Sequence, residues 1–174
     1  PVSTLPSICQ AIRPFLSAQT LVSDVGSTKQ SALAAFAEHL PEHLPNCIAA
    51  HPIAGSDRHG ALAAQFGLYQ DKKLIITPHG QEHSDGLSRL EALWQAVGAN
   101  TFRMSAAEHD AIFAAVSHMP HLLAFAFVHE MFDHPDGQTY LQFAASGFRD
   151  FTRIASSHPA IWTDICIANK TSLL

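Results

Sequence analysis

The spacing of apolar residues in the first hundred positions alternates between two periods. Short apolar runs predict strands, and apolar residues three or four positions apart predict helices. The predicted strands are Thr20–Val25, Cys47–Ala50, Lys73–Thr77 and Asn100–Met104, and the predicted helices are Leu5–Leu16, Thr28–Leu40 and Ser84–Val97. Since strands and helices alternate, we predict an α/β fold with a parallel sheet.

The pattern is helical throughout the rest of the chain. Ser105 followed by Glu108 is a capping-box signature, and Pro120 is expected to kink or break the long helix that follows. We therefore predict two units, an α/β domain over residues 1–104 and an all-helical domain over residues 105–174. The second unit is small for a core of its own, so we expect it to dock on the first unit or to dimerise.

The chain of 174 residues is poor in charge. Charged residues make up 14% of the sequence against a usual ~25%, and 10 Lys and Arg face 15 Asp and Glu. No basic run is present, which argues against nucleic-acid binding. The low charge indicates surface covered by another subunit or by further chain. The longest apolar stretch, residues 122–128, falls far short of the ~20 residues that span a bilayer, so we expect no membrane partner.

The cysteines and histidines bear on location and chemistry. Three widely spaced cysteines, Cys9, Cys47 and Cys166, are typical of buried thiols in a reducing compartment. The sequence opens without a signal peptide, and we expect a cytoplasmic protein. The chain has twelve histidines, and this number is compatible with metal binding, with proton transfer or with histidines that only make the surface polar.

Two strand ends carry residues suited to ligand chemistry. Gly26 and Ser27 follow the first strand and open a helix, where Ser27 either caps the helix alone or also contacts a ligand. His51 follows the second predicted strand, where its imidazole either bonds to loop backbone or exchanges a proton near neutral pH. Ligands of open parallel sheets bind beyond the carboxyl ends of the strands, so both sites should face one crevice.

The helical unit carries two further candidates. His118 and His121 lie three residues apart, but zinc would need a third ligand, and we favour buried, hydrogen-bonded histidines over a metal site. Arg149 and Arg153 lie four residues apart beside Asp150, an arrangement that fits a carboxylate clamp and a structural ion-pair network equally well. Trp162 fits a pocket wall, although a core position is the better expectation.

Together these segments resemble the prephenate/arogenate dehydrogenase family, the oxidative enzymes of tyrosine biosynthesis. The motifs that carry the resemblance are Asp24–Lys29, His51–Gly55 followed by Gly60, Glu108–Asp110 with Ser117–His121, and Gly147–Ala155 continuing through Pro159 and Trp162 to Asn169–Lys170. They occur in the family's order and cover essentially the whole chain.

The resemblance implies the C-terminal part of a Rossmann-like dinucleotide-binding domain, followed by an all-helical substrate-binding and dimerisation domain. The family's Gly-x-Gly-x-x-Gly turn is absent, and Pro1–Val2 resemble the residues after its fourth strand. We therefore expect a fragment of a longer enzyme, inactive by itself, that also lacks the family's last helices. The implied cofactor is NAD or NADP, and the implied partners are a small-molecule substrate and a second copy of the chain. The positions that match cofactor contacts are Val2, Gly26 and Ser27.

The implied reaction is an oxidative decarboxylation, of prephenate to 4-hydroxyphenylpyruvate or of arogenate to tyrosine. His51 matches the family's catalytic histidine, which takes the proton of the substrate's 4-hydroxyl, and Ser27 matches the serine that orients this hydroxyl or the histidine. Arg153 matches the arginine that grips a substrate carboxylate, and His121 and Asp150 match supporting positions in the substrate pocket. No metal ligand is implied.

Two alternatives come from other classes of protein. One is a catalytically silent helical interaction module that carries a remnant of the α/β domain; a pocket joining Ser27, His51 and Arg153 would count against it. The other is a zinc hydrolase that uses the abundant histidines. Prephenate and arogenate differ in a keto against an amino group, and the residues do not choose between these substrates or between NAD and NADP.

Overall fold

The computed structural model describes residues 1–55, 62 and 64–174, so that Gly60 of the second motif lies outside the described residues. The first 103 residues form an α/β unit, which confirms the predicted fold class. Its strands are β1 (Val22–Ser23), β2 (Cys47–Pro52), β3 (Lys73–Thr77) and β4 (Asn100–Arg103). Its helices are α1 (Leu5–Ile12), α2 (Lys29–His39) and α3 (Ser84–Ala96), with 3-10 turns at Val2–Thr4, Arg13–Phe15 and Pro41–Asn46.

The four strands form one mixed sheet in the order β1-β2-β3-β4. The pairs β1-β2 and β3-β4 are parallel, but β2 and β3 are antiparallel, so the prediction of an all-parallel sheet is wrong at this pair. Parallel neighbours require a crossover connection, usually a helix, whereas antiparallel neighbours do not. The described residues of this connection (53–55, 62 and 64–72) include turns but no α-helix, which is consistent with an antiparallel return.

Strand β2 is longer than the apolar run that predicted it. Its ladder with β3 continues until Pro52 lies opposite Leu74, and the N–H of Ile53 donates to the carbonyl of Lys73 at 2.7 Å. His51 therefore lies within the strand, opposite Ile75, and not in the loop after it. The prediction that His51 follows the strand is wrong by two residues, although the imidazole still lies at the carboxyl end of β2.

Both faces of the sheet are covered by helices. One apolar cluster joins β2, β3 and α3, and its buried members are Ile48, Ala50, Leu74, Ile76, Leu87, Leu90 and Ala99. The other joins β2 to α1 and α2, and its buried members are Cys9, Ala32, Phe36, Leu40, Cys47 and Ala49. Successive residues of β2 thus point to opposite layers, which explains why the strand is apolar without alternation.

The described residues after Arg103 are helical or irregular. The α-helices are α4 (Ala106–Phe113), α5 (Met119–Asp133), α6 (Gly137–Gln142), α7 (Ser146–Thr152), α8 (Pro159–Ala168) and α9 (Lys170–Leu173). Ser105 caps α4 as predicted, since its hydroxyl accepts the N–H of Glu108 at 3.1 Å.

Pro120 does not break the long helix. A π-helical turn, Ala114–His118, joins α4 to α5, and Pro120 lies in the first turn of α5. Proline has no N–H for the carbonyl four residues earlier, that of Val116, so a regular α-helical ladder cannot pass this point. The wider π turn accommodates the missing hydrogen bond, and the helical run continues from α4 into α5 without a break.

The helical run Ala106–Asp133 spans 28 residues with a mean hydropathy of 1.7, which by length and composition alone is enough to cross a membrane. Several polar side chains in its first half are nevertheless buried against other parts of the chain. His109 is 0% exposed, Asp110 and His118 are each 1% exposed, and all three form hydrogen bonds to residues outside the run. These contacts tie the first half of the run to the α/β unit and to α9.

Candidate functional site

A cavity of about 820 Å³ opens where the carboxyl ends of β1 and β2 meet the helical unit. Its wall brings together side chains that lie far apart in the sequence, including Ser27, His51, His118, His121, Arg153 and Trp162. Ser27, His51 and Arg153 thus share one pocket, which counts against the alternative of a catalytically silent interaction module. Trp162 lines the cavity, so the expectation of a core position is wrong for this residue.

His51 is linked to the helical unit through a second histidine. Its Nδ1 lies 2.8 Å from Nε2 of His109, and Nδ1 of His109 lies 2.8 Å from Oδ1 of Asp110. Burial lowers the pKa of His51 to about 3, with a further lowering from the neighbouring His109. The imidazole is thus neutral at physiological pH, and its Nε2 has no hydrogen-bond partner among the described residues.

Asp110 also caps helix α2, although it lies about 80 positions further along the sequence. Its two carboxylate oxygens accept the backbone N–H groups of Lys29 at 2.7 Å and Gln30 at 2.9 Å. Burial raises the pKa of Asp110, but the hydrogen bonds from His109 and from these two N–H groups outweigh it, and the pKa lies below its ordinary value. A carboxylate at a helix N-terminus is favoured by the helix dipole as well.

Ser27 therefore has no capping role. Thr28 occupies the N-cap position of α2, and no side chain of the turn itself caps the helix. The hydroxyl of Ser27 is half-buried, lines the cavity and has no hydrogen-bond partner among the described residues. Of the two functions predicted for Ser27, the geometry favours contact with a ligand.

A buried ion pair between Lys29 and Asp24 stabilises the turn that carries Ser27. Lys29 Nζ donates to Asp24 Oδ2 and, at 2.6 Å, to the carbonyl of Ala50. Asp24 also accepts the N–H groups of Gly26 at 2.8 Å and Ala50 at 3.1 Å. Burial lowers the pKa of Lys29, while the charge of Asp24 opposes that shift. The pair fixes the turn that carries Ser27 against the end of β2 that carries His51.

The opposite wall is formed by the π turn and α8. The amide of Asn169 donates to His118 Nδ1 at 3.0 Å and to the carbonyl of Asp110 at 2.8 Å. His121 donates Nδ1–H to the carbonyl of Ser117 at 2.9 Å and stacks on Trp162, with ring centroids 3.4 Å apart. Burial lowers the pKa of His118 to about 4 and also lowers that of His121. Both predicted histidines are therefore hydrogen-bonded and neutral.

The arginine segment divides into one residue at the cavity and two outside it. Arg153 lies in a 3-10 turn, Arg153–Ser156, and lines the cavity. Arg149 and Asp150 lie on α7, are exposed, and are absent from the cavity wall. Throughout the described parts of the chain, no ion pair joins these three residues, so the structure favours a ligand-facing Arg153 over an ion-pair network.

A second cavity, of about 440 Å³, adjoins the first through Ser27. Val2 and Gly26, the other predicted cofactor contacts, line it together with apolar residues of α1 and α8. Within the described residues, no group of three or more His, Cys, Asp or Glu side chains is placed to hold a metal ion.

His109, Asp110 and Asn169 were not predicted as site residues. All three stood only within family motifs, His109 and Asp110 in the third motif and Asn169 at the end of the last one. Their contacts join residues 58, 81 and 51 positions apart, for His109 with His51, Asp110 with Lys29 and Asn169 with His118. For His109 and Asp110, the available signal is a pair of adjacent polar residues in a mostly apolar helix.

A sheet covered by helices on both faces, with a histidine-lined cleft between its strand ends and a helical unit, defines part of a two-domain protein of the nucleotide-binding α/β class. Comparison with known sequences gives the family. The profile described as "Prephenate dehydrogenase, nucleotide-binding domain" matches residues 1–103, and "Prephenate dehydrogenase, dimerization domain" matches residues 105–174. The chain belongs to the prephenate dehydrogenase family, and the resemblance found in its motifs is confirmed.

Individual relatives agree with this assignment. The chain is 30% identical to the cyclohexadienyl dehydrogenase of Zymomonas mobilis, over 100% of the chain and 59% of that protein. It is 38% identical to the prephenate dehydrogenase of Bacillus subtilis, over 90% of the chain and 42% of that protein. The crystal structure of prephenate dehydrogenase from Aquifex aeolicus in complex with hydroxyphenyl propionate and NAD+ superposes with a TM-score of 0.90 at 34% identity, over 99% of the chain and 60% of that protein. The chain thus spans about 60% of the length of the first and third of these relatives.

Proposed function

We propose that this chain carries the catalytic cleft of an NAD(P)-dependent dehydrogenase that oxidatively decarboxylates prephenate to 4-hydroxyphenylpyruvate, arogenate to tyrosine, or both. The observation that carries the proposal is one cavity whose wall holds His51, Ser27 and Arg153. Neither Nε2 of His51 nor the hydroxyl of Ser27 has a hydrogen-bond partner among the described residues. The family assignment and the NAD+ and hydroxyphenyl propionate named for the Aquifex aeolicus structure support it.

The neutral His51 is suited to accept a proton. In the proposed reaction a hydride leaves C4 of the ring, the 4-hydroxyl proton passes to His51 Nε2, and a carboxylate leaves as carbon dioxide. The electron pair of the broken C–C bond makes the ring aromatic, and the oxygen recovers a proton afterwards. Ser27 orients the hydroxyl toward His51, since both side chains face the same cavity.

Arg153 provides the positive charge for the substrate's carboxylates. Prephenate and arogenate are both acids, and a guanidinium binds a carboxylate through two parallel hydrogen bonds. His121, held by Ser117 and stacked on Trp162, lines the same cavity, and burial together with the charge of Arg153 lowers its pKa, so His121 supports this end of the pocket. Asp150 keeps its supporting role as a prediction only, because it lies outside the cavity wall.

The adjoining cavity suits the nicotinamide end of a dinucleotide. A Cβ on Gly26 would lie 3.0 Å from Asp24 Oδ2 and 3.1 Å from Val2 Cγ1, so glycine keeps the turn narrow where a flat ring would approach. When bound, NAD or NADP supplies the hydride acceptor. Val2, Gly26 and Ser27 would hold its reactive end, with Ser27 shared between cofactor and substrate.

We also propose a cytoplasmic homodimer without nucleic-acid or membrane partners. The match to a family dimerization domain and exposed apolar side chains on the helical unit support the dimer; among the exposed side chains are Val116, Leu123, Phe132 and Phe143. The buried thiols of Cys9 and Cys47 support a reducing compartment. Light scattering of the purified protein tests the dimer.

Kinetics on the natural polypeptide that contains this chain test the reaction. Formation of reduced cofactor is measured with prephenate and arogenate, each with NAD and NADP. His51→Asn is expected to lower kcat by about 10²–10⁴-fold at similar KM, because the proton acceptor is lost. Arg153→Gln is expected to raise KM by roughly 10–100-fold, because a charge-assisted hydrogen bond is lost.

Arg149→Gln is the matched control, since it removes an exposed arginine from the same segment outside the cavity, and its kinetics should stay at the wild-type level. Wild-type turnover in His51→Asn would refute the role of His51. Equal KM values in the two arginine variants would refute the role of Arg153.

A further inference from the structure

The proton positions behind His51 follow from its hydrogen bonds. An ionised Asp110 can only accept, so His109 carries a hydrogen on Nδ1 and donates it. If Nε2 of His109 carries no hydrogen, its lone pair accepts the hydrogen on His51 Nδ1. A neutral His51 with its hydrogen on Nδ1 has a lone pair on Nε2. In this arrangement the cavity wall presents an acceptor.

The opposite arrangement would abolish that acceptor. If His109 carried a hydrogen on Nε2, His51 Nδ1 would accept it, and a neutral His51 would present Nε2–H to the cavity. Such a tautomer cannot take a proton from a substrate hydroxyl. The state of His109, which is 0% exposed and lies outside the cavity wall, thus decides whether His51 can act as a base.

Packing holds the two imidazoles in this relation. Phe113, one turn after His109 on α4, lies 4.4 Å from the His109 ring and 5.0 Å from the His51 ring, measured between centroids. Asp110 is fixed in turn by the N–H groups of Lys29 and Gln30. The same carboxylate therefore orients His109 and anchors the helix that begins beside Ser27.

We propose that His109 is a positioning residue that holds His51 in its Nδ1–H tautomer and takes over the Nδ1 proton once His51 has received a proton at Nε2. The inference rests on the proposed function. The substrate O–H bond breaks as His51 Nε2–H forms, and His51 Nδ1–H breaks as His109 Nε2–H forms. The pair gains one proton and one positive charge, which comes to lie beside Asp110. The proton returns by the reverse path to the aromatised oxygen or to water.

Two substitutions of His109 distinguish a positioning role from a role in which the ring only packs. His109→Phe keeps a ring but removes the acceptor, and we expect kcat to fall by about 10²-fold or more with KM within about threefold. His109→Gln places an amide oxygen near the position of Nε2, so it can accept from His51 and restore the tautomer but cannot carry the proton. We expect it to recover kcat at least tenfold relative to His109→Phe.

The pH profile gives a readout that a structural role would not move. Among the described residues, the titratable groups whose charges act on the pKa of His51 are His109, Lys29, His118 and Asp110. We expect the acid limb of kcat/KM to shift in His109→Phe. His79→Phe is the matched control, because His79 also bonds through Nε2, to the carbonyl of Cys47 at 3.0 Å, but at the other end of β2. Its kinetics and pH profile should equal those of the wild type.

Nitrogen-15 NMR of histidine-labelled natural protein tests the tautomer without any assay of activity. Signals of His51 and His109 are assigned from His51→Asn and His109→Gln. Protonated Nδ1 on both rings supports the proposal, and a protonated Nε2 on neutral His51 overturns it, even if His109→Phe fails to fold. A wild-type protein inactive on both substrates would refute the proposed function, whereas an active wild type with normal kcat and pH profile in His109→Phe would refute only this inference.

Discussion

The buried ion pair between Lys29 and Asp24 gives the sharpest test of how the site is held together. The side chains are 0% and 6% exposed, so solvent does not screen the pair. Asp24→Asn removes the negative charge and leaves the ammonium of Lys29 with neutral acceptors such as the carbonyl of Ala50 at 2.6 Å. Because burial already disfavours the charged form of Lys29, the variant loses the group that offsets this cost.

The expected loss is set by the unpaired buried charge. Breaking one side of a buried ion pair destabilises proteins by about 3–5 kcal/mol. Arg103 and Glu91 provide the matched control, since they form an equally direct contact of 2.6 Å but are 51% and 20% exposed. Glu91→Gln should therefore cost less than about 1 kcal/mol. The two ion pairs differ in their burial and not in their contact distance.

Urea denaturation of the natural polypeptide, followed by circular dichroism, measures both free energies of unfolding. The double variant Lys29→Met with Asp24→Asn should recover part of the loss, because it no longer buries a charge without a partner. Equal losses in Asp24→Asn and Glu91→Gln would refute the reasoning. A double variant less stable than Asp24→Asn would also contradict it.

Two further predictions concern stability. The pKa values of His51 and His118 lie at about 3 and about 4, below the 6.5 of a free imidazole. Between these values the two histidines are protonated in the unfolded chain and neutral in the native protein. The free energy of unfolding is then greatest above about pH 6.5 and declines as the pH falls toward 4. Melting temperatures measured across this range should fall less steeply with pH in His51→Asn than in the wild type. Identical slopes of melting temperature against pH would contradict the assignment. Gly137→Ala should lose about 1–3 kcal/mol, since its Cβ would lie 2.0 Å from the carbonyl oxygen of Met131. Gly147→Ala, whose Cβ meets nothing within 4 Å, should lose none, and equal melting temperatures for the two variants would refute the steric argument.

Local pattern was sufficient for much of this molecule. The apolar runs predicted the positions of β2 and β3, amphipathic spacing predicted α2 and α3, and the capping box predicted the start of α4. Short motifs at strand ends and in the helical unit carried the family assignment. Each of these signals lies within a few residues of the structure that it predicts, so the sequence contains all the necessary information in one place.

The remaining features depend on partners distant in the chain. The antiparallel return of β3 extends β2 through His51, and the capping of α2 by Asp110 frees Ser27. The contact of His109 with His51 joins residues 58 positions apart. Hydrogen bonds and burial of this kind arise when two segments meet, and local periodicity does not record which segments do. The sequence therefore predicts His51 as the reactive histidine, whereas the packing of α4 against the sheet determines which of its nitrogens bonds to His109.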